Sequence, residues 1–97
     1  MKLRVTPRAL ANIIEIADYI HEHSPTAARR ARDAIYQSFQ ILILYPHVGR
    51  RQKTAGVRRF VVRRYGYLVY YVVDEVAEEI VILNVKHPAR RREYEDA

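Results

Sequence analysis

The sequence predicts an α+β domain: an N-terminal strand, an antiparallel helical hairpin, then a three-stranded antiparallel meander with the helices on one face of the sheet. Three observations carry this. Thr6-Pro7 and Ser24-Pro25 each set a capping hydroxyl before a proline, the start signal of a helix, and an apolar pattern of helical period follows each. Three short late segments are rich in valine, isoleucine and tyrosine. The turns between those segments are too short for parallel crossovers, so neighbours must run antiparallel.

Residues 2–6 alternate polar and apolar, which reads as a short strand that joins the same sheet. From Pro7 to about His23, polar residues recur at Arg8, Asn12, Glu15, Asp18 and Glu22, one stripe at helical spacing. Leu10, Ile13, Ile14, Ile16, Ala17 and Ile20 fill the remainder, an apolar arc wide for a surface helix. A second helix runs from Ser24-Pro25 to about Leu44, with Ala28, Ala31, Ile35, Phe39 and Leu42 on one face. The alanines permit close approach, and the short connection demands an antiparallel hairpin. Pro46 ends the helix, and residues 47–56 read as a polar loop with two glycines. Residues 57–63, 67–73 and 79–86 are the three strands, joined by a turn at Gly66 and an acidic turn over 74–78; Pro88 stops the last.

The 97 residues make one domain, 1–97, and a 49% hydrophobic content suffices for a core. The longest purely apolar run, residues 67–73, is far below the roughly 18 residues a membrane span needs, so no membrane partner is expected. No secretory leader is visible and there is no cysteine, which fits a cytoplasmic protein without thiolate metal sites.

Charge is concentrated. Residues 49–73 hold seven basic and no acidic side chains, while residues 74–97 hold four basic and seven acidic ones. Such a cationic block attracts a polyanion, nucleic acid or an acidic protein. Strand parity sends Phe60 and Val62 to one face and Arg59, Val61 and Arg63 to the other. In the last strand it groups Val81, Leu83, Val85 and His87 against Ile80, Ile82, Asn84 and Lys86. With helices on one face, the other should keep apolar and aromatic surface beside arginines, the mark of a binding surface.

Little else in the chain suggests chemistry. His21, His23, His47 and His87 have no metal-ligand spacing, Gly49, Gly56 and Gly66 form no phosphate loop, and Ser24 and Ser38 have no triad. No cofactor or metal is expected. What remains is Lys53, Arg58, Arg59, Arg63 and Arg64 on or before the first late strand, His87 at the end of the last, and Arg90, Arg91, Arg92 and Tyr94 beyond it. Metal-free RNA cleavage can run on such groups: a base for the 2′-hydroxyl, an acid for the leaving oxygen and cations on the phosphate. His87 and Tyr94 would be the acid–base candidates and Arg59 and Arg63 the phosphate holders. Alternatively, His87 is a strand-end residue that bonds backbone, and the arginines dock an acidic partner.

The order of elements resembles the RelE/ParE superfamily of bacterial type II toxins. The resemblance rests on Ala17-Asp18-Tyr19-Ile20, Tyr45-Pro46-His47-Val48-Gly49, Gly56-Val57-Arg58-Arg59-Phe60, Tyr67-Leu68-Val69-Tyr70-Tyr71-Val72 and the run from Ile80 through Lys86-His87-Pro88-Ala89-Arg90. It implies a toxin neutralised by a cognate antitoxin with an acidic, amphipathic C-terminal segment, the two forming a hetero-oligomer. Arg58, Arg59, Arg63, Arg64, Tyr71, Lys86, Arg90 and Arg91 are then the candidates for binding antitoxin or target. The segment at Pro46 to Gly49, the start at Gly56-Val57-Arg58 and the exit at Lys86-His87-Pro88 look closer to ParE-like members, which inhibit DNA gyrase. RelE-like members cleave mRNA on the ribosome, and their pattern is only partly matched: their pair of lysines before the first late strand is missing, since only Lys53 lies there, and Tyr94 is a loose counterpart of their C-terminal tyrosine. A non-toxic partner-binding module is the third reading.

Overall fold

A computed structural model describes residues 1–88. Its elements are β1 (Lys2–Val5), α1 (Pro7–His21), α2 (Pro25–Leu44), β2 (Arg50–Arg51), β3 (Val57–Val61), β4 (Leu68–Asp74) and β5 (Glu79–Lys86). The strands form one five-stranded sheet in the order β1-β5-β4-β3-β2. β1 runs parallel to β5, and all other neighbours are antiparallel.

Both helix starts form as the sequence dictates. The hydroxyl of Thr6 accepts from Ala9 N–H at 3.1 Å and itself donates to the carbonyl of Ile82 at 2.8 Å, so one side chain caps α1 and ties it to the sheet. Ser24 accepts from Ala27 N–H at 3.1 Å and caps α2. α1 ends at His21, two residues short of the expected end, because the amides of His23 and Ser24 both turn back to the carbonyl of Ile20.

Ala28 and Ala31 are buried, which permits the close hairpin. Ile13, Ile35, Phe39 and Leu42 pack with Val69, Tyr71, Ile80, Ile82 and Val85 into the main core, on one face of the sheet. Full burial of such side chains stabilises by roughly 1.5–3 kcal/mol each. Asn12 on α1 accepts from Val85 N–H at 3.1 Å, a second tie between helix and sheet.

Three sequence expectations are corrected. The loop 47–56 contains β2, a two-residue strand whose register sets Arg50 opposite Arg59 and Arg51 opposite Arg58. β3 ends at Val61 rather than residue 63, because the turn closes early: Val62 N–H donates to Tyr67 O, and Arg64 and Gly66 take left-handed φ of 74° and 75°. Strict alternation in β5 also fails. Tyr70 faces Asn84 and Tyr71 faces Ile82, so Leu83 is skipped by a bulge. Ile80, Ile82 and Val85 therefore all reach the main core, although parity separates them.

The far sheet face does not bear the exposed apolar patch expected of it. Val57, Leu68 and Tyr70 are buried there, in a second cluster with Val72 and Leu83. The exposed apolar side chains lie chiefly on the helices and just beyond: Leu10, Ile14, Ile41, Leu44 and Tyr45, with Leu44 71% exposed. Among the described residues, no helix is long and apolar enough to cross a membrane.

Candidate functional site

The cationic block divides along the strand pleat. Arg58 lies opposite Tyr71 and Arg59 opposite Tyr70, so consecutive arginines point to opposite faces of β3. Arg59 lies on the side of the second cluster, whereas Arg58 lies on the core side at its edge. Arg63 and Arg64 are exposed on the β3–β4 turn, and Lys86 is half-buried opposite Leu68. Arg90, Arg91 and Tyr94 lie outside the described residues. The described cations thus occupy both faces and a turn rather than one surface.

Arg58 and Tyr71 have a shared local task. Tyr71 is fully buried, and its hydroxyl donates to Pro46 O and accepts from Gly49 N–H, each at 2.8 Å. Arg58 Nη1 donates to the carbonyls of His47 at 3.1 Å and Gly49 at 2.9 Å. Together they latch the segment Pro46-His47-Val48-Gly49 to the sheet, which explains why tyrosine, arginine and glycine occur at these distant positions. Tyr71, expected to contact a partner, is therefore interior: its contribution is to hold the loop. Burial pushes its hydroxyl above the ordinary tyrosine value, while the Gly49 N–H and the Arg58 guanidinium oppose that rise.

His87 sits elsewhere. It is exposed and lines a groove with Asn12, Glu15, Ile16 and Ile20 of α1 and with Tyr67, on the helix side of the sheet. The Tyr67 ring stacks on Tyr65 at 6.1 Å and meets His87 edge-on at 6.4 Å. Burial, reinforced by Tyr65, pushes the Tyr67 hydroxyl up, so it stays protonated near neutral pH. Glu15 and Tyr67 join His87 only through the packing of α1 on the end of β5, which sequence spacing does not disclose. The structure does not bring His87 and Arg59 to one site, because they belong to opposite sides of the sheet. Among the described residues no three His, Cys, Asp or Glu side chains cluster as metal ligands.

A second cavity, about 530 Å³ in volume, lies beside the β2–β3 turn. His47, Arg51, Gln52, Gly56, Arg58 and Glu75 help line it, with His47 Nε2 3.0 Å from the Glu75 carboxylate across its rim. Arg51 and Gln52 escape sequence reasoning because β2 is too short to show a pattern.

Residues 3–92 match the model of the ParE toxin of the type II toxin-antitoxin system parDE. The chain is 38% identical over 85 residues to Toxin RelE2 of Caulobacter vibrioides, covering 88% of this chain and 92% of that one. It is 31% identical over 86 residues to Y4kP of Sinorhizobium fredii, covering 89% and 86% of the two chains. Among solved structures it is similar to a chain of the chromosomal ParDE TA system from P. aeruginosa, with a TM-score of 0.78, 27% identity and coverage of 90% of this chain and 95% of that one.

Proposed function

The chain belongs to the ParE toxin family of type II toxin-antitoxin systems, and on that premise we propose that it acts by binding, with DNA gyrase as its target. Membership implies an antitoxin partner. The observation that supports binding over catalysis is the separation of the acid–base candidate His87 from the phosphate-holder candidate Arg59. A nuclease needs its base, its acid and its phosphate holder around one scissile bond. His87 lies in the groove beside α1, and Arg59 lies across the sheet. With gyrase as target, the protein works in the cytoplasm, and an acidic amphipathic segment of the antitoxin neutralises it in a hetero-oligomer.

Purified toxin titrated into a gyrase supercoiling reaction tests this reading. Loss of supercoiled product at excess toxin, reversed by antitoxin, is the expected result. Undiminished supercoiling would refute it. A second reading, ribosome-dependent mRNA cleavage, draws support from the groove itself, where His87, Glu15, Tyr67 and Lys86 line one concavity, and from the name of the Caulobacter relative. Under it, primer extension on translating ribosomes shows toxin-dependent cuts that His87→Ala abolishes.

A further inference from the structure

We infer that the cavity beside the β2–β3 turn anchors one acidic residue of the antitoxin, its carboxylate on Arg51 and Arg58 and its backbone N–H on Gln52. The inference deepens the toxin reading and rests on it.

Three features point to that occupant. Gln52 is 4% exposed, and its Nε2 donates to Arg50 O at 2.8 Å, which fixes the amide with Oε1 as its remaining acceptor. That Oε1 is buried and has no hydrogen-bond partner among the described residues. A buried acceptor without a donor is costly, so the site favours a ligand that brings an N–H or O–H.

Arg51 and Arg58 are direct cross-strand partners, and both line the cavity. Like charges set opposite one another repel, and an anion between them relieves the repulsion. Arg58 is already fixed through Nη1 by two loop carbonyls, so little freedom is lost when it takes a ligand.

An aspartate or glutamate in an extended peptide offers both requirements, a carboxylate and, on the same residue, a backbone N–H. An RNA chain also offers charge and, in its ribose 2′-hydroxyl, a donor, but its closely spaced phosphates meet the Glu75 carboxylate at the rim. That carboxylate tolerates a single acidic side chain on the arginine side better than a dense polyanion.

The test is a titration of the ¹⁵N-labelled full chain with acetyl-Ala-Glu-Ala-amide, its Gln counterpart and oligouridylate, followed at the Gln52 side-chain amide and the Arg51 and Arg58 Nε–H signals. The glutamate peptide should shift all three, with a dissociation constant on the order of millimolar, and the glutamine peptide should leave them in place. Arg51→Ala should weaken the glutamate peptide by about ten-fold or more, and Gln52→Met should remove its discrimination against an ester that replaces the peptide N–H. Equal shifts from both peptides, no shift at Gln52, or a response to oligouridylate alone would overturn the assignment. The result is independent of the supercoiling assay, which contains no acidic peptide. A selective shift in a chain that leaves supercoiling untouched would keep the anchor and remove the gyrase reading, and gyrase inhibition without a selective shift would do the reverse.

Discussion

Replacing Gly49 by alanine puts the latch to a direct test. An added Cβ would lie 2.6 Å from Cε1 and from the hydroxyl oxygen of Tyr71 and 2.9 Å from its Cζ. The ring has little room to yield, being fully buried and held by its hydroxyl at Pro46 O and Gly49 N–H. Relief must come from the loop, and moving it breaks the Gly49 N–H bond to Tyr71 and strains the Arg58 bond to Gly49 O. Overpacking of this kind costs about 1–3 kcal/mol. One or two lost hydrogen bonds add about 0.5–1.5 kcal/mol each. The reduced freedom of the unfolded chain returns roughly 0.4–1 kcal/mol. The net loss is about 2–4 kcal/mol, a large share of the roughly 5–15 kcal/mol that stabilises a domain. With a urea slope of about 1–1.5 kcal/mol/M, the unfolding midpoint should fall by about 2 M. Gly56→Ala is the control: φ is +80° there, but no heavy atom lies within 4 Å of the added Cβ, so the left-handed backbone penalty of about 1–2 kcal/mol is the sole native-state cost, reduced by the same return of roughly 0.4–1 kcal/mol. A Gly49→Ala midpoint equal to that of the parent, or a loss smaller than that of Gly56→Ala, would refute the latch.

Arg64 offers the opposite sign. It takes a φ of 74° in an exposed turn, and Arg64→Gly removes a Cβ penalty of about 1 kcal/mol that the added chain entropy partly offsets, so the urea midpoint should rise slightly. Alkaline pH should destabilise the fold. Both Tyr67 and Tyr71 are raised above the ordinary tyrosine value of 10.0 by burial, so between the unfolded and folded values the native chain binds more protons than the unfolded chain. Their contribution is complete below about pH 10 and is lost as pH rises through the folded values. Ultraviolet titration of tyrosinate should show late groups that ionise together with unfolding, and Tyr67→Phe should remove one of them; simple titration of every tyrosine near the ordinary value would contradict this.

The helices were readable because their information is local. A capping hydroxyl, a proline and an apolar stripe lie within a few residues of one another, and Thr6, Pro7 and Ala9 are enough to start α1. The meander was readable for the same reason, with each turn announced by Gly66 or by the acidic run before Glu79. β2 was not, since two residues carry no period and Arg50 and Arg51 become a strand only because β3 lies beside them. The bulge at Leu83 was equally hidden: nothing in Ile82-Leu83-Asn84 breaks the apolar pattern, and only the pairing of Tyr70 and Tyr71 with Asn84 and Ile82 exposes the skipped residue.

The candidate site was less legible than the fold because charge density along a chain is not charge density in space. Seven basic residues within 49–73 read as one patch, but a strand sends neighbours to opposite faces, and Arg58 and Arg59 part company at once. The sequence also cannot say which arginine is committed to backbone. Arg58 lies nine and eleven residues from the carbonyls it holds, and Tyr71 twenty-two from the glycine it meets. Composition alone ranks these two as surface recognition residues. Their geometry instead makes them the reason that the loop after α2 keeps one shape, and that shape brings His47 to Glu75 at the rim of the cavity. A partner reading this end of the molecule meets a surface that the latch has already organised, so substitutions at Gly49 and Tyr71 should disturb recognition there even though the Tyr71 side chain is fully enclosed.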